Sequence, residues 1–285
     1  MEVWKENFTL VRQLSRTQSK RFGQSFLLQE KSSKKLVVFK LIDKSNSIGY
    51  QQLKNENIFT LSQKGLPEIL GSFENETQFG IYKKFEEGET FDLFWKGVKR
   101  SKRKEKLEVV INNLQPLFQH LEEQNITHAD IKPENIIVQE KNGKLDCALI
   151  DFGLAFDRTD LPNRKTLFQL GYASPELILN RLDCTDPSTD IFSFCLVIYK
   201  LWSGKLPLSS PNPAMMTQLQ ITYPIEKAWK IPKSLWKVLE KGLAKHRFKL
   251  PANKMTKQEV SIALKEANKK RYGNFSDFQK AINSI

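Results

Sequence analysis

"ITHADIKPENIIV", residues 126–138, sets a histidine, two acids, a lysine and an asparagine within eight positions, between two apolar runs. Apolar residues on each side anchor the ends of a loop, so the polar side chains between them can converge on one space. Asp130 can accept a proton from an attacking hydroxyl, Lys132 can neutralise charge on a group in transfer, and Asn135 offers a neutral oxygen to a hard cation. Downstream, "CALIDFGLAF" reads as a buried strand ending in Asp151, and Gly153 then permits backbone angles that a larger residue would resist. A strand-end carboxylate beside a loop asparagine is a way to hold Mg²⁺ together with phosphate oxygens. Taken alone, the same aspartate and asparagine also suit a solvated turn.

Outward from this loop, the chain changes character once. Before it, "FTLVRQL", "QSFLLQE", "KLVVFKLID" and "QFGIYKKF" are short, rich in Val, Ile, Phe and Leu, and read as strands. One helix interrupts them, over Tyr50 to Gln63, with Leu53, Ile58 and Leu61 at helical spacing and "KGLP" as its stop. Lys40 lies on the third strand, and Glu56 on the helix can meet it as an ion pair; the alternative is an exposed strand lysine and a solvated acid. After "FEEGET" the pattern turns helical. "LEVVINNLQPLFQHLEEQ" places Val109, Leu114, Leu117, Phe118 and Leu121 on one face, whereas "TDIFSFCLVIYKLWSG" is apolar nearly all round and predicts a buried central helix. The fold class is α+β: a small antiparallel sheet with one helix, then a larger, mainly helical part.

With 285 residues, the chain can form one large domain or two smaller ones around a shared cleft. Its 45 Lys and Arg against 32 Asp and Glu give a net charge of +13, which points to acidic partners. The run "KGVKRSKRKEK", Lys96 to Lys106, reads as a solvated loop and first helix turn, or as a contact for an acidic substrate or anionic surface. No basic stripe has interleaved aromatics, so nucleic acid is not the expected partner. No apolar run reaches membrane-spanning length and the start lacks the order of a secretory signal, which predicts a cytoplasmic protein. Cys147, Cys184 and Cys195 are odd in number without C-x-x-C spacing, so reduced thiols are expected, with Cys147 and Cys195 buried.

In order and spacing, these segments resemble the serine/threonine protein kinase family over nearly the whole chain. The resemblance implies a two-lobed fold, with residues 1–82 as the N-terminal lobe, 83–88 as the hinge and 89–285 as the C-terminal lobe, and ATP and Mg²⁺ bound between the lobes. It assigns Lys40 to the α and β phosphates, paired with Glu56, and Gly23 to the phosphate loop. Asp130 becomes the catalytic base, Lys132 steadies the γ-phosphate, and Asn135 with Asp151 holds Mg²⁺. Val38 and Ile137 fall where the adenine is sandwiched, Tyr82 falls at the gatekeeper, and Lys83 to Phe85 form the hinge. Asp190 buttresses the catalytic loop, with a helix cap as its plainer reading. Glu176 pairs with a late arginine, for which Arg271 stands ahead of Arg247. His128 orders the loop, and His120 and His246 have no evident role.

The chain departs from the family in three places. Where the glycine-rich loop should stand it reads "LSRTQSKRFGQSF", in which only Gly23 matches. Gln18 and Lys20 take the earlier glycine places and Ser25 that of the valine, so a bulkier tip should weaken nucleotide binding, although Lys20 and Arg21 bring charge. Second, Ala129 replaces the arginine that meets an activation-segment phosphate, so activity should not depend on phosphorylating Thr159 or Thr166. Third, Gln169 replaces a threonine that seats the hydroxyl substrate, with Thr166 three residues earlier, which loosens the expected peptide specificity; Ser174 for alanine is mild. The expected function is transfer of the γ-phosphate of ATP to serine or threonine hydroxyls of a protein substrate. The alternatives are a pseudokinase or nucleotide-binding scaffold and a small-molecule kinase. "SSPNPAMMTQLQITYPIEKAW" follows the family least, and its Tyr223 and Trp229 read as packing residues rather than a docking site.

Overall fold

The computed structural model describes residues 5–14, 23–162, 168–246, 248 and 254–285. Gln18, Lys20, Arg21, Thr166 and Arg247 lie outside the described residues. The strands are β1 (Phe8–Gln13), β2 (Gln24–Glu30), β3 (Leu36–Asp43), β4 (Ile69–Glu74), β5 (Gln78–Lys84), β6 (Glu89–Thr90), β7 (Ile126–Thr127), β8 (Ile136–Lys141), β9 (Lys144–Leu149) and β10 (Phe156–Asp157). The helices are α1 (Ser47–Ile58), α2 (Phe91–Gly97), α3 (Arg103–Glu123), α4 (Pro175–Ile178), α5 (Pro187–Ser203), α6 (Pro213–Thr222), α7 (Lys233–Gly242), α8 (Lys257–Asn268) and α9 (Phe275–Asn283). The chain divides into two compact units, Met1–Glu87 with Leu149–Leu154, and Gly88–Ala148 with Ala155–Ile285.

The first unit is an antiparallel sheet in the order β1-β2-β3-β5-β4 with α1. Successive side chains of a strand point to opposite faces, and β3 shows what this does. Val37 and Phe39 pack with Leu28, Phe8, Phe26, Leu41 and Tyr82 on one face. Ile42 packs on the other face with Phe79, Ile81 and Leu53 of α1, and Val38 and Lys40 share its parity. The edge strand β4, "ILGSFE", is absent from the sequence reading; a bulge between Ile69 and Gly71 interrupts its alternation. Helix α1 also differs from the expected Tyr50–Gln63. The Asn46 side chain accepts from Gly49 N at 3.1 Å and so starts the helix earlier. It stops at Ile58, which is 74% exposed, because Phe59 leaves the helical path and its N–H folds back to Glu56 O at 3.2 Å.

In the second unit α5 is the hub. An Asp186–Thr189 capping box opens it, Pro187 occupies its first turn, and left-handed Gly204 at φ 90° ends it. Almost every side chain between is buried, as the all-round apolar pattern requires. Phe118 of α3 stacks on Phe275 of α9 at 4.1 Å, and Phe194 of α5 meets them at 5.9 and 5.6 Å. Each such aromatic contributes about 1.5–3 kcal/mol by leaving water. The inner face of α3 is Leu107, Val110, Ile111, Leu114, Leu117, Phe118 and Leu121, so Val109 is half-buried rather than part of the seam. Cys184 and Cys195 are buried, whereas Cys147 on β9, expected to be buried, is only half so. Tyr223 and Trp229 are 54% and 81% exposed, so neither is a core residue: the chain between α6 and α7 leaves their rings on the surface.

Candidate active site

Lys40, Glu56 and Asp151 meet within the first unit. Lys40 Nζ lies 2.7 Å from Glu56 Oε2 and 3.0 Å from Asp151 Oδ1. Helix α1 turns Glu56 inward one turn after buried Leu53, leaving it 2% exposed. Burial opposes the charge on Lys40, but the Asp151 and Glu56 carboxylates outweigh it and hold its pKa well above that of an ordinary lysine. Asp151 has a left-handed backbone at φ 70°, uncommon for a side chain that is not glycine. That conformation is braced by Asn55, whose Nδ2 donates to Phe152 O at 3.3 Å and Gly153 O at 3.2 Å. Gly23, at φ 75°, stands just before β2, where an added Cβ would come within 2.5 Å of Leu41 O. The glycine is therefore required by packing against β3 whatever its role toward phosphate.

Strand parity changes one assignment. In the β3–β5 pairing Tyr82 is opposite Phe39 and Lys83 is opposite Val38. Tyr82 consequently stacks on Phe39 at 4.5 Å and on Phe8 at 5.2 Å, on the face away from Lys40. It does not join the Lys40 group, so Tyr82 is not on the face expected of it; the β5 residue on that face is Lys83, which is 6% exposed and also donates to Glu56 Oε1. Burial pushes Lys83 below the ordinary lysine value, against the pull of Glu56. Lys83 and Lys84 both belong to β5, so the strand continues into the stretch read as hinge, and Phe85 follows it half-buried. Val38 shares the Lys40 face and is half-buried.

Within the second unit the opening loop folds on itself. Asp130 Oδ2 lies 2.7 Å from Lys132 Nζ and accepts from Asn135 Nδ2 at 2.8 Å, while the same amide donates to Asp130 O at 2.9 Å. Asp190 accepts from His128 N at 2.7 Å and Ala129 N at 3.0 Å, which holds Ala129 at φ 61°. The helix cap itself is Asp186, leaving Asp190 to the loop. Burial raises the Asp190 carboxyl to about 6, against the lowering effect of those two N–H bonds. His128 is fully buried, and its Nδ1 accepts from Asp130 N at 3.3 Å. Ile137 is half-buried on β8. Glu176 meets Arg271 at 2.7 Å, both side chains wholly buried, and accepts from Thr189 Oγ1 at 2.9 Å.

Sequence reasoning missed three residues and placed a fourth, Lys83, only in the hinge. Lys83 had a signal, because Phe79, Ile81 and Lys83 alternate on one face. Asn55 had none, its partners lying 97 and 98 residues away. Arg158, seven residues after Asp151, donates to Ile126 O at 2.9 Å, Thr127 Oγ1 at 3.3 Å and Glu122 O at 3.3 Å. It ties its segment to the C-terminal end of α3, where the helix dipole favours a cation. Gln220 of α6 donates to Leu170 O at 2.9 Å and Gly171 O at 3.2 Å, holding the far end of the same segment. In the basic run, Lys96, Lys102, Lys104 and Lys106 pair with Asp92, Glu105, Glu108 and Glu140. Much of the positive charge there is thus locally compensated.

Taken each within its own unit, two side chains have donor chemistry that suits Mg²⁺. Asp151 offers a partly exposed carboxylate, and Asn135, its NH₂ end engaged by Asp130, has an amide oxygen to offer. Mg²⁺ takes few protein oxygens and completes its shell with water and substrate phosphates.

Compared with known proteins, residues 20–281 match the protein kinase domain. The serine/threonine-protein kinase SCH9 of Saccharomyces cerevisiae is 28% identical over 69% of this chain and 24% of its own length. Myosin light chain kinase 3 of Danio rerio is 29% identical over 68% of this chain and 27% of its own length. A probable serine/threonine-protein kinase of Dictyostelium discoideum is 30% identical, over 74% and 46%. The chain thus spans between about a quarter and under a half of these relatives.

Proposed function

This chain belongs to the protein kinase domain family, and from that membership we propose that it transfers the γ-phosphate of ATP to serine or threonine hydroxyls of a protein substrate. The observation that carries the reading is the convergence of Lys40 on Glu56 and Asp151, partners 16 and 111 residues away. A lysine kept charged by two carboxylates, one of them on a strained backbone, is equipped to bind phosphate oxygens beside a cation site. Asp130 accepts the proton of the attacking hydroxyl as its oxygen bonds to the γ-phosphorus; the bond from that phosphorus to the β–γ bridging oxygen breaks, and ADP leaves. Lys132 moves from Asp130 toward the transferring phosphoryl group, and Asn135 keeps Asp130 oriented. Asn135 and Asp151 would hold Mg²⁺, which, when bound, neutralises charge on the phosphate oxygens. Lysine two positions after the base favours serine and threonine over tyrosine.

The same reading makes activity independent of phosphorylation after Asp151. Arg158 and Gln220 hold the described parts of that segment through bonds to backbone carbonyls. A cytoplasmic location fits three free cysteines and the finding that no helix among the described residues is long and apolar enough to cross a membrane. An acidic protein substrate fits the net charge of +13. The test is label transfer from γ-labelled ATP with Mg²⁺, to the chain itself and to a generic basic protein, beside Asp130→Ala and Asp151→Ala. Transfer that both substitutions abolish supports a kinase. Nucleotide-induced thermal stabilisation without any transfer would instead mark a nucleotide-binding scaffold.

A further inference from the structure

Trp229 is the most exposed large apolar side chain among the described residues, at 81%, and Tyr223 earlier in the same loop is 54% exposed. The loop that carries them is held from within. Tyr199 of α5 donates its hydroxyl to Glu226 O at 3.0 Å, Ile231 N closes a turn onto Ala228 O at 3.0 Å, and the Ile231 side chain is 1% exposed. A tryptophan fixed on the outside of a pinned loop forgoes the burial its ring could have gained. Directly after it, α7 buries Leu235, Val238 and Leu239 and turns Lys233, Lys237 and Lys241, four residues apart, to solvent on the opposite side. Lys227 and Lys230 stand in the loop itself, Lys230 with Nζ 5.5 Å from the Trp229 ring centre. Among the described residues none of these five lysines pairs with a carboxylate: Lys227 donates to Ala228 O and Lys241 lies over the Tyr272 ring. In the run Lys96–Lys106, by contrast, four lysines pair with acids.

We propose that the Trp229 loop and the lysine face of α7 form a docking surface for a membrane rich in anionic lipid. Both lie outside the groups assigned to phosphate transfer, so the inference stands apart from the kinase reading. Tryptophan settles at the level of lipid headgroups, its ring among acyl carbons and its N–H toward water. Each lysine near an anionic leaflet adds about a fivefold gain in binding. Against the five lysines this stretch has two acids, Glu226 and Glu240, so its excess is positive. Residue choice favours lipid over another macromolecule. Protein interfaces are enriched in arginine and depleted in lysine, and nucleic acids are gripped by arginine forks and successive aromatic platforms. Residues 223–246 contain no arginine. The point charge of a lysine on a flexible stem suits headgroups whose positions are not fixed.

The test is sedimentation of the full chain with vesicles of phosphatidylcholine alone and of phosphatidylcholine with phosphatidylserine. The parent should bind the anionic vesicles, and less so as salt rises. Lys233→Ser with Lys237→Ser should weaken binding about 30-fold, two steps of about fivefold, and Trp229→Ala about tenfold. Lys102→Ser with Lys104→Ser removes the same charge from the compensated run and should cost less than about threefold. Lipid brominated on its acyl chains should quench the emission of the parent and do so far less in Trp229→Phe. All the altered side chains are exposed or half-exposed, so melting temperature and phosphate transfer to a soluble substrate should match the parent. Failure of the parent to bind anionic vesicles would overturn the proposal. Equal losses in the two lysine pairs would overturn it too, showing diffuse attraction of a basic chain, as would Trp229→Ala binding like the parent. Binding of a single-stranded oligonucleotide or of polyglutamate that needs Trp229, where vesicle binding does not, would give the surface to nucleic acid or acidic protein and overturn the lipid assignment.

Discussion

Arg271→Met would strand Glu176. The guanidinium lies 2.7 Å from Glu176 Oε1 with both side chains wholly buried, donates from Nε to Ala244 O at 2.9 Å, and packs over Phe192 at 4.6 Å. Methionine replaces much of the stem's volume but none of the charge, and the remaining partner of Glu176 among these, Thr189 Oγ1, is a neutral donor. Removing one member of a buried pair costs about 3–5 kcal/mol, because the other charge stays out of water. In a unit of this size each kcal/mol is worth about 2–4 °C, so the melting temperature should fall by roughly 10 °C or somewhat more. The double variant Arg271→Met with Glu176→Gln removes both charges and should recover more than half of the loss. Circular dichroism melts of parent, singles and double at neutral pH decide it. A fall below about 2 °C, or a double variant as unstable as the sum of the singles, would refute the argument that charge burial, not lost contact area, sets the cost.

Asp130→Asn keeps the shape of the loop but not the base, so transfer should fall at least about 100-fold while ADP affinity, by calorimetry, stays within about threefold. Arg158→Met loses three bonds to the end of α3 and its neighbouring strand and should cut turnover about tenfold, one lost interaction of this kind being worth about 1.4 kcal/mol. Thr159→Ala loses only an exposed bond to Asp157 and should leave steady-state activity within about twofold; a collapse would show that its phosphorylation matters. Asp190 gives a pH dependence. Its carboxyl is raised from 3.8 to about 6, mainly by burial, so the folded state holds the proton more tightly than the unfolded one. The associated stability is fully present below about pH 4 and lost as pH rises through about 6, at most about 3 kcal/mol. Urea denaturation from pH 4 to 7 should therefore show Asp190→Asn gaining on the parent with rising pH, and a flat difference would contradict the sign.

Most strands of the first unit and the helices α3 and α5 were legible because local sterics write them into residue type, whereas the bulged β4 was not. Alternation of Val, Phe and Leu marks β3, and the all-round apolar run marks α5, whatever either packs against. The loop of Asp130, Lys132 and Asn135 was legible for the same reason: its partners lie within five residues, and the chain itself brings them together. The ends of α1 were not. Ile58 and Leu61 sit at helical spacing, but the Asn46 cap and the turn at Phe59, each a single hydrogen bond, set the span. The arrangement around Lys40 was legible only in part, since a lysine on a strand says nothing of what faces it.

What the sequence alone determined about this protein is thus the strand-rich start and helical remainder, its family, and the polar loop whose members are neighbours in the chain. The tertiary structure alone decided that Lys83, not Tyr82, shares the face of Lys40, that Asn55 braces the backbone after Asp151, and that Arg158 bonds carbonyls at the end of α3 and on β7. The physical reason is the range of the forces involved. Backbone sterics and apolar periodicity act over a few residues, whereas a strand's register inverts every side chain for a slip of one residue and is set by the strand beside it.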